Sequence, residues 1–444
     1  MTSLQDRLRI QELAADGWSD AAIGAEVHWS ERTVRKWRLR LRLQAGDSSR
    51  LVSSLGRPRS GAMGSFRAAT REQVRQMRQS YPGRGALTLH TELALQAGDG
   101  EQVPSRATIA RFLAQQRLVR GYERHGGVPL VADGRAQAEH DVWEMDARGQ
   151  EAVAGVGVVM LIHLNDRFSR TKLLSYPCVV GLTRALHRPT TSDYQLALRL
   201  AFAEWGLPAT LSVDHDSVFY DNTSRSPFPS QLQLWLAGLG VLLLFGPYRR
   251  PTDRGMTERS HQTWAAQVIQ GQRFTDWNAL WAALQMRKTF LNEHLPCRTH
   301  DYIPPLVAYP QARVPQRPYD LLHEQDLFDA NRIAALLAPG RWFRTASNVG
   351  AVKLGGIRYP LGATWANREV EIHFDPDDAQ LLFCDASRSL HQRLPIQGIS
   401  YRDLAGDMHP CFLLHPCQLP LPMDTQRFLP DLTRLFETSS GTSN

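Results

Sequence analysis

Three carboxylates in this chain could do chemistry together: Asp146 in "HDVWEMDARG", Asp214 in "ATLSVDHD" and Glu258 in "GPYRRPTDRGMTERSHQTW". Brought to one crevice at neutral pH, they repel one another and require a positive partner. Hard oxygen ligands suit Mg²⁺ or Mn²⁺. Two such ions per site would activate a water or a 3′-hydroxyl and stabilise the leaving oxygen of an in-line phosphoryl displacement. Asp146, Asp214 and Glu258 are therefore the expected metal ligands and catalytic residues. Other acids compete on the same terms. Asp141 stands five residues before Asp146, a spacing that turns it to the opposite face of a regular strand. Asp166 reads as ordering a strand turn with Ser169 and Arg170. Asp216 shares a turn with Asp214, and Asp221 and Asp253 sit in loops. His261, three residues past Glu258, lies on a nearby helix face, where contact with a scissile phosphate and plain surface are both open.

The elements that must position these acids are legible from about residue 137. "HDVWEMDARG", "GVGVVMLIHLNDRFSR" and "TKLLSYPCVV" read as three strands, and "TSDYQLALRLAFAEWG" as a helix stopped by Gly206 and Pro208. The short strand "ATLSVDHD", a helix around 229–238, the strand "VLLLF", a loop and the helix opened by "MTERSHQTW" follow. Three strands in a meander, then alternating strands and helices, predict a ribonuclease-H-like α/β fold. Asp146 falls on the first strand and Asp214 at the end of the fourth. If those strands are neighbours, both carboxylates face one crevice.

These segments resemble the catalytic core of the DDE transposases and retroviral-type integrases over residues 137–300. "WEMDARG" is similar to the family's first-acid strand, "NDRFSR" to its acid–aromatic–Ser-Arg segment, "LSVDHDSVF" to its second-acid motif and "RPTDRGMTERSHQT" to its third. The resemblance implies a transposase that binds element ends, cleaves DNA to expose a 3′-hydroxyl and joins it to target DNA. It also implies a homo-oligomer assembled on double-stranded DNA and a target-selecting AAA+ ATPase partner. The chain departs from the pattern in two places. His215-Asp216 stands where the family has Asn-Gly, and 43 residues separate Asp214 from Glu258, the extra length falling near "YDNTSRSPFPS". Arg250, Arg254 and Arg259 surround the third acid and read as phosphate clamps. Two other readings compete: an inactive or domesticated relative that only binds DNA, as a repressor or structural subunit, and a nuclease for RNA–DNA hybrids.

Two small helical units precede the core. Within residues 1–44, Ser19 and Ser30 are N-cap candidates, and Val34, Trp37 and Leu41 form a buried stripe on the third helix. Arg32, Arg35, Lys36 and Arg38 fill its remaining surface, which predicts a helix-turn-helix unit reading DNA. Residues 45–67 form a basic linker whose "GRPR" carries Arg57 and Arg59, residues suited to a narrow minor groove. Residues 68–122 predict a second helix-turn-helix unit, with Leu87, Leu89, Leu93 and Leu95 as core candidates on its middle helix. Its last helix has the apolar stripe Ile109, Phe112 and Leu113 and the DNA-facing Arg106 and Arg111.

Beyond the core, residues 301–320 read as a proline-rich linker and 338–405 as a small SH3-like barrel of short strands, with a tail at 406–444. The expected fold class is thus multidomain: all-α helix-turn-helix units, a ribonuclease-H-like core and a small β-barrel. Composition agrees. At 444 residues, 43% hydrophobic and 21% charged, the chain can build several packed cores. Its net charge of +7 favours a polyanionic partner. Cys411 and Cys417 with His409 and His415 match no common zinc spacing. No signal-like apolar run opens the sequence, so a cytoplasmic, DNA-associated location is expected.

Overall fold

The computed structural model describes residues 4–42, 61–98, 100–119, 136–153, 157–181, 186–214, 218–219, 224, 226–245, 255–387 and 389–406. Contacts divide the chain into two compact units, Met1–Arg75 with Ala97–Arg120, and Gln76–Gln96 with Gly121–Asn444.

The first unit opens with α1 (Leu4–Ala15), α2 (Asp20–Glu26) and α3 (Glu31–Arg42). Ile10, Leu13, Ile23, Val34 and Trp37 meet in one small core. The caps are those expected: Ser19 Oγ accepts from the Ala22 N–H at 3.2 Å, and Ser30 Oγ from Thr33 at 3.3 Å. The turn into α3 depends on Gly24, because a Cβ there would stand 2.6 Å from the Trp29 carbonyl oxygen. Gly24→Val is expected to destabilise this unit by about 1–3 kcal/mol through overpacking. Hydrogen exchange should then quicken over residues 4–42 and leave the β-strands of the second unit unchanged.

Three further helices occupy the next region: α4 (Ala68–Ser80), α5 (Ala86–Gln96) and α6 (Arg106–Gln115). Ile109, Phe112 and Leu113 are buried as expected. On α5, Leu89 and Leu93 are buried while Leu95 is exposed. The end of α4 and all of α5 group with the second unit, and the contacts show why. Arg84 donates to the Gln267 carbonyl at 3.1 and 3.3 Å, and Gln267 Nε2 donates to Thr88 Oγ1 at 3.1 Å. Glu92, buried, accepts from Arg84 at 2.9 Å and from Arg287 at 2.6 Å. Gly83 has room for nothing larger, since a Cβ would meet the Ala266 carbonyl oxygen at 2.4 Å.

The second unit is built on β1 (Val142–Val153), β2 (Gly157–Asp166), β3 (Lys172–Gly181), α7 (Thr191–Trp205), β4 (Thr210–Val213), α8 (Gln231–Gly238), β5 (Leu242–Phe245), α9 (Gly255–Trp264) and α10 (Trp277–Glu293). This is the expected element order. The sheet runs β3-β2-β1-β4-β5, with the first three strands antiparallel and β4 and β5 parallel to β1. That is the ribonuclease-H-like order. Alternation along the strands gives the sheet two different faces. Trp143, Met145, Ile162 and Leu164 pack with α7 residues Tyr194, Leu198 and Phe202 in a large apolar core. The opposite parity carries Glu144, Asp146, His163 and Asn165. A π-helical turn, Ala265–Ile269, follows α9 directly, and Trp264, Val268, Leu280 and Leu284 form a second core against Val159 and Leu161.

The C-terminal part contains α11 (Pro305–Ala308), α12 (Glu324–Leu327), α13 (Ala330–Leu337), strands β6 (Arg341–Thr345), β7 (Ala351–Leu354), β8 (Ile357–Pro360), β9 (Glu369–Asp375), β10 (Gln380–Asp385) and β11 (His391–Pro395), and α14 (Tyr401–Ala405). The segment read as a linker is packed. Leu306, Ala312 and Tyr319 are buried, and Arg317 donates to the carbonyls of Pro208, Leu239 and Gly240 at 2.8–3.0 Å. The expected closed barrel is not formed. The strands make a four-stranded sheet, β11-β10-β9-β6, and a separate β7-β8 hairpin. Closure would bury the inner face of these strands, but the α/β layer already does so. Trp342 stacks edge-on against Phe228 at 4.9 Å and donates to the Pro227 carbonyl at 3.2 Å. Val352, Ile372, Phe374 and Phe383 join the same apolar core as Trp143. Cys411, Cys417, His409 and His415 lie outside the described residues.

Candidate active site

The site begins with strand register. β1 and β4 are parallel, with Trp143 opposite Leu211 and Glu144 opposite Ser212. Two residues beyond that last pair stand Asp146 on β1 and Asp214, which directly follows β4. Neighbouring strands lie about 4.8 Å apart, within reach of two carboxylates sharing a cation. Asp146 itself is paired with His163 of β2.

α9 covers this face and carries Glu258. The Glu258 side chain lies outside the described atoms, but the helix that bears it is fixed by its neighbours. His261 Nε2 bonds Asp146 Oδ2 at 2.9 Å. Ser260 Oγ donates to Asn165 Oδ1 at 3.0 Å. The Trp264 ring stacks on His163, with centroids 5.8 Å apart and planes at 10°. Three residues of α9 after Glu258, namely Ser260, His261 and Trp264, thus touch β1 and β2. His261 and His163 are themselves ring neighbours at 4.7 Å. Burial, with the nearby charges of His261 and Lys172, pulls the His163 pKa well below the usual histidine value, so His163 is neutral and serves as packing.

The acid competitors separate on geometry. Asp166 is buried and accepts from the Ser169 N–H at 2.9 Å, the Ser169 hydroxyl at 2.5 Å and the His140 N–H at 3.1 Å. It therefore holds the β2–β3 turn, and burial raises its pKa despite those bonds. Asp141 accepts from the Gln137 and Ala138 N–H groups at 2.8 and 2.9 Å, closing the turn before β1. Asp216, Asp221 and Asp253 lie outside the described residues, as does His215.

Among the predicted DNA-contact residues, Arg32 and Lys36 are exposed on α3, and Arg106 and Arg111 on α6. Arg35 pairs with Glu31 and Asp20, and Arg38 donates to Asp20 at 2.5 Å, so these two brace α3 against α2. Asp20 is held below the usual carboxylate range, chiefly by its bond from Arg38. Arg259 is exposed at the start of the site. Arg57, Arg59, Arg250 and Arg254 lie outside the described residues.

The residues whose part the sequence reading missed are Asn165 and Lys172 beneath α9 and Ser260 on its sheet-facing side. The signal was present: His163 and Asn165 alternate with Ile162 and Leu164, a polar parity within an apolar strand. Among the described residues no cluster of three His, Cys, Asp or Glu side chains forms a ready-made metal site. The donor chemistry still fits a hard divalent cation. Asp146 and Asp214 offer carboxylate oxygens, and His261 engages only Oδ2 of Asp146.

Residues 1–48 match the family model of a homeodomain-like domain. Similar solved structures include a chain of the simian T-cell lymphotropic virus intasome in complex with the PP2A regulatory subunit B56 gamma. It is 15% identical and covers 73% of this chain and 96% of that chain, with a TM-score of 0.32. The HTLV-2 integrase catalytic core domain in complex with magnesium is 13% identical, covering 39% of this chain and 99% of that one at a TM-score of 0.29. The BIV integrase catalytic core domain is 16% identical, with coverages of 39% and 95% and a TM-score of 0.28. The fold assignment itself rests on strand order and pairing. The chain thus carries a homeodomain-like N-terminal region and, further on, a sheet of ribonuclease-H-like strand order.

Proposed function

We propose that this protein is a DNA transposase that cleaves DNA at element ends and joins the freed 3′-hydroxyl to target DNA. The observation that carries this reading is the β1–β4 register, which pairs Glu144 with Ser212, two residues before Asp146 and Asp214, on the sheet that the helix bearing Glu258 packs against. Asp146, Asp214 and Glu258 would hold two Mg²⁺ or Mn²⁺ ions, which when bound activate the attacking oxygen and stabilise the leaving one. His261, bonded to Asp146 Oδ2 at 2.9 Å, would hold the rotamer of Asp146, and the sheet would set the spacing of the two aspartates. Arg259, with Arg250 and Arg254, would neutralise the phosphates beside the scissile bond. No Ser or Tyr nucleophile is required. Two ends must be joined in one reaction, which calls for a homo-oligomer on double-stranded DNA. A target-selecting AAA+ ATPase partner rests on family resemblance alone. No helix of the described residues is long and apolar enough to cross a membrane, which agrees with a cytoplasmic, DNA-associated protein. The test is a cleavage and strand-transfer assay on DNA flanking the gene, with Mg²⁺ or Mn²⁺ and an EDTA control. Sequence-specific binding without any product would favour a DNA-binding role alone. Cleavage of an RNA–DNA hybrid in preference to duplex would favour the nuclease.

Within the N-terminal unit, Arg32 and Lys36 are proposed to meet phosphates, with Arg57, Arg59, Arg106 and Arg111 extending the site. Arg32→Ala and Lys36→Ala should each weaken binding across all sequences and lower the slope of log K against log salt by about one. Fluorescence anisotropy over a salt series measures this. Arg38→Ala should instead loosen the helical unit, because its partner is Asp20.

A further inference from the structure

Beneath α9 one lysine joins elements that must keep a fixed relation if the three acids are to meet. Lys172 opens β3, and its ammonium donates to Asn165 Oδ1 of β2 at 3.0 Å and to Ser260 Oγ of α9 at 3.1 Å. Ser260 Oγ in turn donates to the same Asn165 oxygen at 3.0 Å, closing a ring of three hydrogen bonds. The Asn165 carbonyl thereby uses both lone pairs, and its buried Nδ2 has no partner among the described residues. The Lys172 backbone is fixed from the other side. Its N–H donates to Asn292 Oδ1, and its carbonyl accepts from Asn292 Nδ2, both at 2.8 Å. Asn292 of α10 thus takes the place of a further strand at the sheet edge and holds the stem from which the ammonium reaches α9.

We propose that Lys172 is a positioning residue of the carboxylate site, seating α9 on the sheet so that Glu258 meets Asp146 and Asp214. This rests on the reading of those acids as metal ligands. Simple packing does not call for an ammonium here, because an apolar side chain of like volume would avoid its desolvation cost. What the ammonium adds is direction: two donors aimed at two elements, one of them at Ser260, two residues downstream of Glu258. Burial draws its pKa down to about 8, while Cys297 and Glu144 act to raise it and Arg170 to lower it. The lysine therefore remains mainly charged at neutral pH.

The test uses full-length Lys172→Met, Lys172→Gln and Ser260→Ala, with two measurements. Hydrogen exchange is followed over Gly255–Trp264 and over β1–β3, and Mn²⁺ alone is titrated by calorimetry. Lys172→Met is expected to quicken exchange in α9 selectively and to weaken Mn²⁺ binding by about 10-fold or more, because a loosened α9 no longer holds Glu258 in place. Lys172→Gln, which keeps a donor, should recover part of both. Ser260→Ala should reproduce both changes, and adding it to Lys172→Met should add little. Should Lys172→Met fail to fold, Ser260→Ala and Lys172→Gln carry the same comparison. Unchanged α9 exchange with unchanged Mn²⁺ affinity overturns the proposal. So does a uniform rise across sheet and helix, which would mark Lys172 as a general stability residue. If the wild-type protein binds no Mn²⁺, the metal reading fails, and α9 exchange alone decides whether Lys172 seats the helix.

Discussion

Glu258→Gln in the full-length protein is expected to abolish DNA cleavage and strand transfer while leaving specific DNA binding intact. The change keeps the size of the side chain and removes one anionic donor from the proposed metal site. A carboxylate that helps hold a catalytic metal contributes several kcal/mol at the transition state, so the rate should fall by about 10³-fold or more. Asp146→Asn and Asp214→Asn should do the same, and pairing any two of the three should cost little beyond the first, because the ligands act as a unit. Gel analysis of labelled element ends reads all of these. A Glu258→Gln protein with wild-type cleavage would remove Glu258 from the site and return attention to Asp216 and Asp253.

The largest stability effect should come from a site far from the chemistry. Arg199 of α7 and Glu324 of α12 form a bidentate pair, with two bonds of 2.7 Å and side chains 2% and 0% exposed. Trp235 donates to the same carboxylate at 3.0 Å, Tyr319 adds its hydroxyl, and Arg199 reaches the Ala405 carbonyl at 3.1 Å. Arg199→Ala leaves a buried carboxylate without its cation and should cost about 3–5 kcal/mol, read as a lower urea midpoint. Replacing both partners with apolar residues should recover only part of that, since Trp235, Tyr319 and Ala405 would lose their partners. The pair also sets an acid limit. Burial acts to raise the Glu324 pKa, but the bonds and charge of Arg199 carry it below the usual glutamate value. Its stabilisation is therefore complete above the ordinary glutamate range and is lost as pH falls through the depressed native value.

The five-stranded sheet was legible because its signals are local. Alternation marked the strands, periodicity with Gly206 and Pro208 marked α7, and the topology makes β1, which carries Asp146, a neighbour of β4, which Asp214 follows. Ser19 and Ser30 announced their caps in the same way. What escaped depended on partners distant in sequence. Glu92 reads as an ordinary helix-surface acid, and nothing near it in the chain points to Arg287, 195 residues away. The β-strands after residue 338 show two-faced alternation, which states that one face is covered but not by what. The barrel reading supplied other strands of the same sheet, whereas the cover is Phe228 and the α/β layer. Lys172 escaped for a related reason: one charged residue opening an apolar strand looks like an edge, until Asn292 and Ser260 close around it.

The π turn at Ala265–Ile269 has a consequence for the way α9 ends. Such a turn accommodates one residue more than an α turn, and here it closes the helix, since Gln270 is already extended. Upstream, α9 takes its phase from Ser260 and His261 against the sheet. Within the turn, Gln267 bonds Arg84 and Thr88. The turn is thus a joint between two gear trains: one residue deleted from it would re-index the grip on α5 while leaving Glu258 on its original spoke.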